Sequence, residues 1–533
     1  IPGLQNKPLR TLGRNYDKAI NDQNAKVVVM DKFMKDLKKL DKSYFTGFMK
    51  SWAAQNVLLK QIEWDFLIYE LPIRLIEEME RKQSVFLRKW LGVARCLTDV
   101  ALYSNQVPCP LPFNSLLSVF KKSKVRSYLQ LKYSQDQQVS TSARQHNTGT
   151  KWKTVDAIED AESRQRFKKV VGNVRGVKAN AMNVSARAGL GFGQRQEDQS
   201  PAEGSREHRK QIANLVDQDQ EEEYTAKAVG QYVQGVWVNW KDYINRDISW
   251  KTILSTKPEL FRFCVGATYD TLATPKNTAR WGMTDDAKCA LCSHPSCTIR
   301  HILSACPVSL VQGRYEYRHN QVLRCIAHGI QSFLNTNKVV SKKGIRQIHF
   351  VKETGSAFEK RSRKPELGIL HKASDFVMSV DLERRLKYPE HIAEVGQRPD
   401  IVIYSNSLRL VIHFELTCPC EENFELRHKE KGDRYGVGSK IEAECTANGW
   451  TVVCLPVEVG ARGYAAVSLR SSLRRLGLGK MRTKTVIKNA SDAALRASFW
   501  MWLLRNRLEW KLSTSFKSVS SDNLDRNTER VCK

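Results

Sequence analysis

The chain has 533 residues, with 86 Lys and Arg against 56 Asp and Glu, which gives a formal charge of +30 at pH 7. An excess of positive charge of this size indicates a polyanionic partner, most often nucleic acid. A ribosome-associated protein, or one that is merely basic, has the same composition and stays an alternative. No apolar run approaches the roughly 20 residues needed to cross a bilayer, so a membrane partner is not expected.

Length and cysteine content limit the organisation of the chain. A chain of this length is expected to form two to four domains, and 41% of hydrophobic residues is enough for their cores. The 13 cysteines lack the pattern of a small disulfide scaffold, which favours a reducing compartment. The predicted fold class is a multidomain α+β protein.

Residues 1–133 are predicted to form a mostly helical block. Apolar residues recur at helical spacing over 51–90, and those predicted to fall on one face are Leu67, Leu71, Leu75 and Met79. Pro72 is expected to kink this helix or to mark its start.

The composition changes after this block. Residues 134–209 are polar, rich in Gly and Ser and poor in core residues, so they are predicted to be a linker. One basic helix is predicted within the linker, over 151–178. Its cations are candidates for contacts with nucleic-acid phosphates, which position a protein without specifying a base sequence. These candidates are Arg164, Arg166, Lys168, Lys169 and Arg175.

Residues 210–350 are predicted to form a helical linker domain around a small metal site. Its C-x2-C-x8-H-x4-C motif consists of Cys289, Cys292, His301 and Cys306. Zn²⁺ takes four such nitrogen and sulfur ligands at about 2.0–2.3 Å, and a structural site uses all four. His294 and Cys297 lie inside the loop and are alternative ligands. Reduced cysteines that merely lie close together are the competing interpretation.

A different pattern covers residues 351–470. Three β-branched runs bounded by turn residues, at 401–405, 408–416 and 450–460, lie among charged helical stretches. This pattern indicates an α/β sheet domain. A short turn joins the first two runs, which are predicted to pair as antiparallel strands.

Two acidic residues fall on this predicted hairpin. Asp400 precedes the first strand and Glu415 lies near the end of the next, so strand pairing would bring both to one edge. Paired carboxylates can hold Mg²⁺, and a metal-bound water is a better nucleophile. A nearby cation would stabilise charge on a scissile phosphate. Lys431 is the candidate and Lys429 its competitor, while a solvated hairpin with ordinary strand-end acids is the alternative.

The remaining segments carry weaker signals. Residues 471–533 are predicted to be a helical, basic C-terminal segment. His319 lies on a predicted helix after the Cys/His motif, where a packing role is favoured over a phosphate contact. A basic run is either a nuclear-localisation patch or a solvated loop. That run consists of Lys360, Arg361, Arg363 and Lys364.

The order of these motifs resembles a known family. The Cys/His motif is followed by Pro399-Asp400, by Glu415-Leu416-Thr417, by K-x2-R-Y at 431–435, and by a strand that ends in VEVGARGY. This order resembles the C-terminal half of non-LTR retrotransposon proteins with a restriction-like endonuclease of the PD-(D/E)xK type, typified by elements inserted in ribosomal DNA. The stretch EWDFLIYELPIRLIEEMERKQSVFLRKWLGV resembles their thumb and the helices that follow it, so the likeness covers nearly the whole chain.

The resemblance implies an activity, a location and site residues. In this family the endonuclease nicks chromosomal DNA in the nucleus, and the exposed 3′ hydroxyl primes cDNA synthesis on the element's RNA. The likeness implies that Asp400 and Glu415 bind catalytic Mg²⁺ and that Lys431 is the displaced catalytic lysine. Thr417 matches the Thr that is usual in this family where other PD-(D/E)xK nucleases have Lys. Asp381 matches a recurrent acid whose role is less clear. The zinc knuckle is implied to bind and position nucleic acid.

Polymerase chemistry is not expected of this chain. The polymerase palm needs an aspartate pair on a tight β-turn, and the only Asp-Asp pair, Asp285-Asp286, lies beside the Cys/His motif without a strand context. Fingers and palm are expected upstream of Ile1. The leading hypothesis is an Mg²⁺-dependent endonuclease with structural Zn²⁺ that binds target DNA and element RNA. A non-catalytic, zinc-dependent nucleic-acid-binding remnant is the alternative.

Overall fold

The structure, a computed structural model, describes residues 9–11, 14–16, 22–142, 148–171, 204–340, 368–382 and 386–510. It divides into two compact units, one formed by residues 1–238 and 247–265 and the other by residues 239–246 and 266–533. Helices predominate, together with a four-stranded sheet, so the predicted α+β class is confirmed. The finer division into five domains stays a prediction. No helix within the described residues is long and apolar enough to span a bilayer.

The first unit is helical apart from a ribbon of two short antiparallel strands, β1 (Leu9–Thr11) and β2 (Arg14–Tyr16). A π-helical turn, Ala54–Leu58, joins the second helix to the third. The helices in chain order are α1 (Gln23–Lys42), α2 (Gly47–Ala53), α3 (Leu59–Ile68), α4 (Ile73–Leu91), α5 (Asp99–Tyr103), α6 (Leu116–Lys132), α7 (Gln137–Ser142), α8 (Thr154–Val171), α9 (Arg206–Val229) and α10 (Trp250–Ser255). The next helix, α11 (Pro258–Thr268), crosses the boundary between the units.

Pro72 marks the start of a helix, one of the two outcomes expected from the sequence. It is the N-cap of α4, and Tyr69 in extended conformation ends α3 just before it. A proline suits this position because the first turn of a helix has no partner for its backbone N–H groups. Ile76 and Met79 then lie on the fully buried face of α4.

The second unit holds the sheet and the Cys/His motif. Its strands are β3 (Val377–Val380), β4 (Ile401–Ser405), β5 (Leu410–Thr417) and β6 (Thr451–Glu458), in the order β3-β4-β5-β6. Its helices are α12 (Pro275–Arg280), α13 (Pro307–Val311), α14 (Arg314–Val340), α15 (Phe424–Tyr435), α16 (Lys440–Ala447), α17 (Val467–Leu476) and α18 (Lys480–Leu503). A π-helical turn, His301–Ala305, precedes α13.

The sheet is mixed. β3 pairs with β4 and β4 with β5 in antiparallel fashion, which confirms the predicted hairpin, whereas β5 and β6 are parallel. Parallel neighbours need a long crossover, and α15 and α16 supply it. The C-terminal ends of β5 and β6 therefore lie at the same edge as the N-terminal end of β4.

Both faces of the sheet are buried. Ile401, Ile403 and Phe414 pack on one face with residues of α14, α17 and α18. Val402 and Val411 pack on the other face with residues of α15 and α16. Burying one such side chain contributes about 1.5–3 kcal/mol, so the two layers fix the strand register and the positions of groups at the sheet edge.

Candidate functional site

The two predicted acids meet at the edge where β4 begins. Ile401 lies opposite Phe414, and the same register places Asp400 opposite Glu415. The Asp400 backbone N–H donates to Glu415 Oε1 over 3.1 Å, and the Leu416 N–H donates to Asp400 Oδ2 over 2.8 Å. Each carboxylate is thus held by the backbone of the opposite strand.

The predicted lysine completes this group, which we call the acidic site. Lys431, on α15, places Nζ 2.7 Å from Glu415 Oε2 and 3.7 Å from Asp400 Oδ2. The ammonium also lies 5.4 Å from the ring centroid of Tyr435, one helical turn further on. Lys429, the competitor, is exposed on the same helix. The geometry therefore favours Lys431 over Lys429 as the cation of the site.

Burial and charge shift the pKa values of the two acids in opposite directions. Glu415 is fully buried, and burial together with the charge of Asp400 raises its pKa to about 7 even though Lys431 opposes the shift. Burial also acts to raise the pKa of Asp400, but the hydrogen bond and charge of His319, together with Lys431, lower it below its usual value. Two coupled acids with pKa values driven apart are typical of reaction centres.

The acidic site includes one residue that the sequence did not assign to it. His319, on α14, places Nε2 3.4 Å from Asp400 Oδ1 and 3.3 Å from the Leu416 carbonyl oxygen. Burial acts to lower its pKa, but the hydrogen bond and charge of Asp400 raise it. The sequence favoured a packing role because no local pattern links a helical His to an acid 81 positions later.

Two further predicted residues lie beside the acids. Thr417 is two residues beyond Glu415 on the same face of β5, and its buried Oγ1 has no hydrogen-bond partner in the described part of the chain. The Asp381 N–H donates to the Asp400 carbonyl over 2.9 Å, while the Asp381 carboxylate accepts from the Leu386 N–H over 3.2 Å. Asp381 therefore contacts the site through its backbone, and its chemical role stays a prediction.

The Cys/His motif forms a compact cluster. Its four ligand atoms lie within 4.8 Å of one another, and Cys292 Sγ is 3.3 Å from His301 Nε2. Ligand atoms around a tetrahedral Zn²⁺ are about 3.3–3.8 Å apart, so this cluster could hold one zinc ion. The π-helical turn begins at His301 and ends just before Cys306, which aims both side chains at the two cysteines of the loop.

The two alternative ligands lie outside this cluster. His294 stacks on the His301 ring with centroids 4.7 Å apart, and its Nδ1 contacts the backbone of Ser296. Cys297 is buried near Cys289, and burial raises the pKa of its thiol to about 12. The geometry thus selects the Cys₃His set predicted first.

One buried arginine links the cluster to the acidic site. Arg318 is 1% exposed and precedes His319 on α14. Its guanidinium donates to the carbonyl of Leu303, between the ligands His301 and Cys306, and to the carbonyl of Cys418, each over 2.8 Å. Because Cys418 follows Glu415 by three residues, one side chain fixes both segments.

The predicted basic helix is only partly described. Arg164, on α8, is ion-paired with Asp219 and lies 3.8 Å from Glu222. Arg166, Lys168 and Lys169 belong to α8, but their side chains lie outside the described residues, as do Arg175 and the basic run at 360–364. A role of these cations in nucleic-acid binding stays a prediction.

Comparison with known proteins adds no family to these observations. No protein-family model matches the chain, and no curated protein is significantly similar to it. The functional argument therefore depends on the chemistry of the acidic site and the Cys₃His cluster.

Proposed function

We propose that this chain is a metal-dependent DNA endonuclease with Asp400, Glu415 and Lys431 at its reaction centre. The main support is that two carboxylates face each other across paired strands with an ammonium 2.7 Å from one of them. The alternative of ordinary strand-end acids in solvent disagrees with the complete burial of Glu415.

The donor set fits a hard divalent cation. Asp400 and Glu415 offer carboxylate oxygens, and the buried Thr417 Oγ1 lacks a partner among the described residues. Magnesium prefers such oxygens and keeps several of its waters. Bound there, Mg²⁺ would supply a water of lowered pKa and offset charge on the scissile phosphate.

The chain's own residues have separable roles in this proposal. Asp400 is kept ionised by His319 and would hold the cation. Glu415, with a pKa of about 7, would hold the cation as a carboxylate once its proton is displaced. Lys431 would stabilise negative charge that develops on the phosphate.

We propose further that the nick serves target-primed reverse transcription of a non-LTR retrotransposon in the nucleus. The order of motifs described above supports this, and the charge of +30 suits binding of both target DNA and element RNA. In this proposal the Cys₃His cluster holds a structural Zn²⁺ and positions nucleic acid.

A second candidate is a zinc-dependent nucleic-acid-binding protein without catalysis. One observation favours it. Lys431 Nζ already contacts Glu415 Oε2 and lies close to Asp400 Oδ2, so its positive charge compensates the two acids without a metal. This candidate predicts DNA binding with no cleavage at any Mg²⁺ concentration.

A nicking assay separates the two candidates. Supercoiled plasmid and Mg²⁺ are incubated with the original chain, Asp400→Asn, Glu415→Gln and, as a matched control, Asp433→Asn, an exposed acid on α15. The endonuclease proposal expects at least a hundredfold loss for the first two variants, on the order of the electrostatic contribution of one catalytic group, and none for the control. DNA binding without nicking by any protein would replace it with the second candidate.

A further inference from the structure

The segment after β6 has an unusual charge distribution. Between Glu458 and Asp492 there is no acidic residue but eight Lys and Arg. One of the eight, Arg462, is buried against Glu421. The other seven are exposed on α17 and α18, and one of them, Arg482, donates to Thr336 Oγ1 over 3.3 Å. The remaining six form what we call the basic face: Arg470, Arg474, Arg475, Lys480, Lys484 and Lys488.

The spacing of apolar and basic residues along each helix places these cations on the side that faces solvent. On α17, Leu469 and Leu473 are fully buried against the sheet, so Arg470 and Arg474 lie away from it. On α18, Lys484 and Lys488 lie one turn apart and opposite the buried Val486. Each helix therefore has an apolar inner side and a cationic outer side.

Few acidic residues among those described compensate the positive charge of the basic face. None of the described residues forms an ion pair with Arg470, Arg474, Arg475, Lys480 or Lys488. Like charges at i,i+4 spacing repel, as in the row formed by Lys480, Lys484 and Lys488. The first turn of α18 also has cations and no acid, which opposes the helix dipole. An external anion would relieve both effects.

The basic face begins at the sheet edge that carries the acidic site. Ser468, in the first turn of α17, donates to the buried carboxylate of Glu458 over 2.6 Å. Glu458 lies opposite Thr417 in the β5–β6 register, two residues beyond Glu415. Two residues of a strand span about 6.6 Å, and ten residues of helix about 15 Å. Helix α17 thus begins at the sheet edge that carries the acidic site, and its whole length is about that of four base pairs.

We propose that the basic face of α17 and α18 binds the phosphate backbone of double-stranded DNA beside the bond that is cut at the acidic site. The position of the cut rests on the proposed function, whereas the DNA contact rests on the charge of the face. No aromatic residue occurs between positions 467 and 491, so the face offers no stacking platform for unpaired bases. Regularly spaced exposed cations instead suit phosphates, which neutralise charge without base readout.

The test compares two variants that lose three charges each. The test variant carries Arg470→Gln, Arg474→Gln and Lys488→Gln. The control carries Lys60→Gln, Lys82→Gln and Lys153→Gln, three lysines that are each paired with a neighbouring acid. Both are made in the full chain with Asp400→Asn, and thermal unfolding checks that the fold is kept. Affinity for a 30-base-pair DNA duplex is measured by fluorescence anisotropy across a salt series without added Mg²⁺.

In a plot of log affinity against log salt concentration, each phosphate contact contributes about 0.9 unit to the slope. The slope of the test variant is therefore expected to be shallower by roughly 2–3 units. This corresponds to a loss on the order of a hundredfold in affinity near 0.1 M salt, with little change for the control. A test variant whose slope equals that of the control overturns the proposal. So does a variant that loses affinity for single-stranded RNA but keeps its affinity for the duplex.

Nicking by the chain with an intact Asp400 distinguishes this inference from the proposed function. If that chain does not nick DNA but the slope falls in the test variant, the endonuclease proposal fails and the DNA contact stands. If it nicks DNA and the slope is unchanged, the DNA contact fails alone.

Discussion

Glu415 Oε2 accepts a 2.7 Å hydrogen bond from Lys431 Nζ while the Glu415 side chain is fully buried. A buried carboxylate needs a compensating charge or a proton, because desolvation penalises its ionised form. Lys431 supplies that charge from α15, and the charge of Asp400 opposes it. The protonation of Glu415 therefore depends on burial and Asp400, which favour the proton, and on Lys431, which opposes it.

Lys431→Met is expected to destabilise the protein in a pH-dependent way. Without the ammonium, an ionised Glu415 would be uncompensated, which costs about 3–5 kcal/mol. The folded pKa of Glu415 would rise further above its unfolded value, so the unfolded state would bind fewer protons between pH 5 and 8 and stability would fall as pH rises. Urea unfolding at pH 5.5 and 8 measures this. The exposed Lys429→Met is the control, and equal losses at both pH values would contradict the prediction.

Removing one ligand of the Cys₃His cluster is expected to abolish zinc binding. Metal analysis of the dialysed protein should find about one Zn²⁺ per chain, and none after Cys292→Ser. The free energy of unfolding should fall by several kcal/mol, because binding of structural zinc contributes about 10–16 kcal/mol to the folding of small peptides. Cys297→Ser is the matched control, because this thiol is buried near the cluster but lies outside it. Equal zinc loss in both variants would show that the ligand set is wrong.

Lys124 is expected to make the first unit more stable as pH rises from about 8 to 10. The side chain is fully buried with Nζ 2.6 Å from the Tyr69 carbonyl oxygen, and burial lowers its pKa to about 8. Between the folded pKa and the unfolded value near 10.4 the unfolded state binds more protons, so stability rises with pH. The shift corresponds to about 3 kcal/mol. Denaturation of the original chain should show the rise and Lys124→Met should not.

Arg318→Met is expected to weaken the second unit and its proposed activity together. The change leaves the carbonyls of Leu303 and Cys418 without the donor that each has at 2.8 Å. Two buried carbonyls that lose their partner cost roughly 2–6 kcal/mol. Thermal unfolding and plasmid nicking measure the two effects. Arg324→Met, an exposed change on the same helix, should alter neither.

The acidic pair and the metal cluster were predictable because their signals are local. The β-branched runs predicted the pairing of β4 with β5, and that pairing alone brings Asp400 to Glu415. The spacing of Cys289, Cys292 and His301 likewise limits the ligand geometry to a few turns of chain. Strand alternation and short loops constrain neighbours within about 20 residues without any knowledge of the remaining fold.

The contacts that the sequence did not predict are long-range. The periodicity of α14 predicts which side is buried, but it does not say that His319 meets Asp400 or that Arg318 meets Cys418. Charge counts fail in a similar way, since Arg164 is compensated by Asp219, an acid 55 positions later. Composition gives the number of cations in a segment. Only the tertiary structure shows which of these cations are already paired with an acid.

Arg318 couples the metal cluster to the strand that carries Glu415. The same guanidinium holds the ligand-bearing turn at Leu303 and the segment that follows Glu415. If the turn opens when zinc is absent, that segment loses one of its anchors, while α17 and α18 keep their apolar packing against the sheet. Under the proposed function, loss of zinc would then reduce nicking more than it reduces DNA binding.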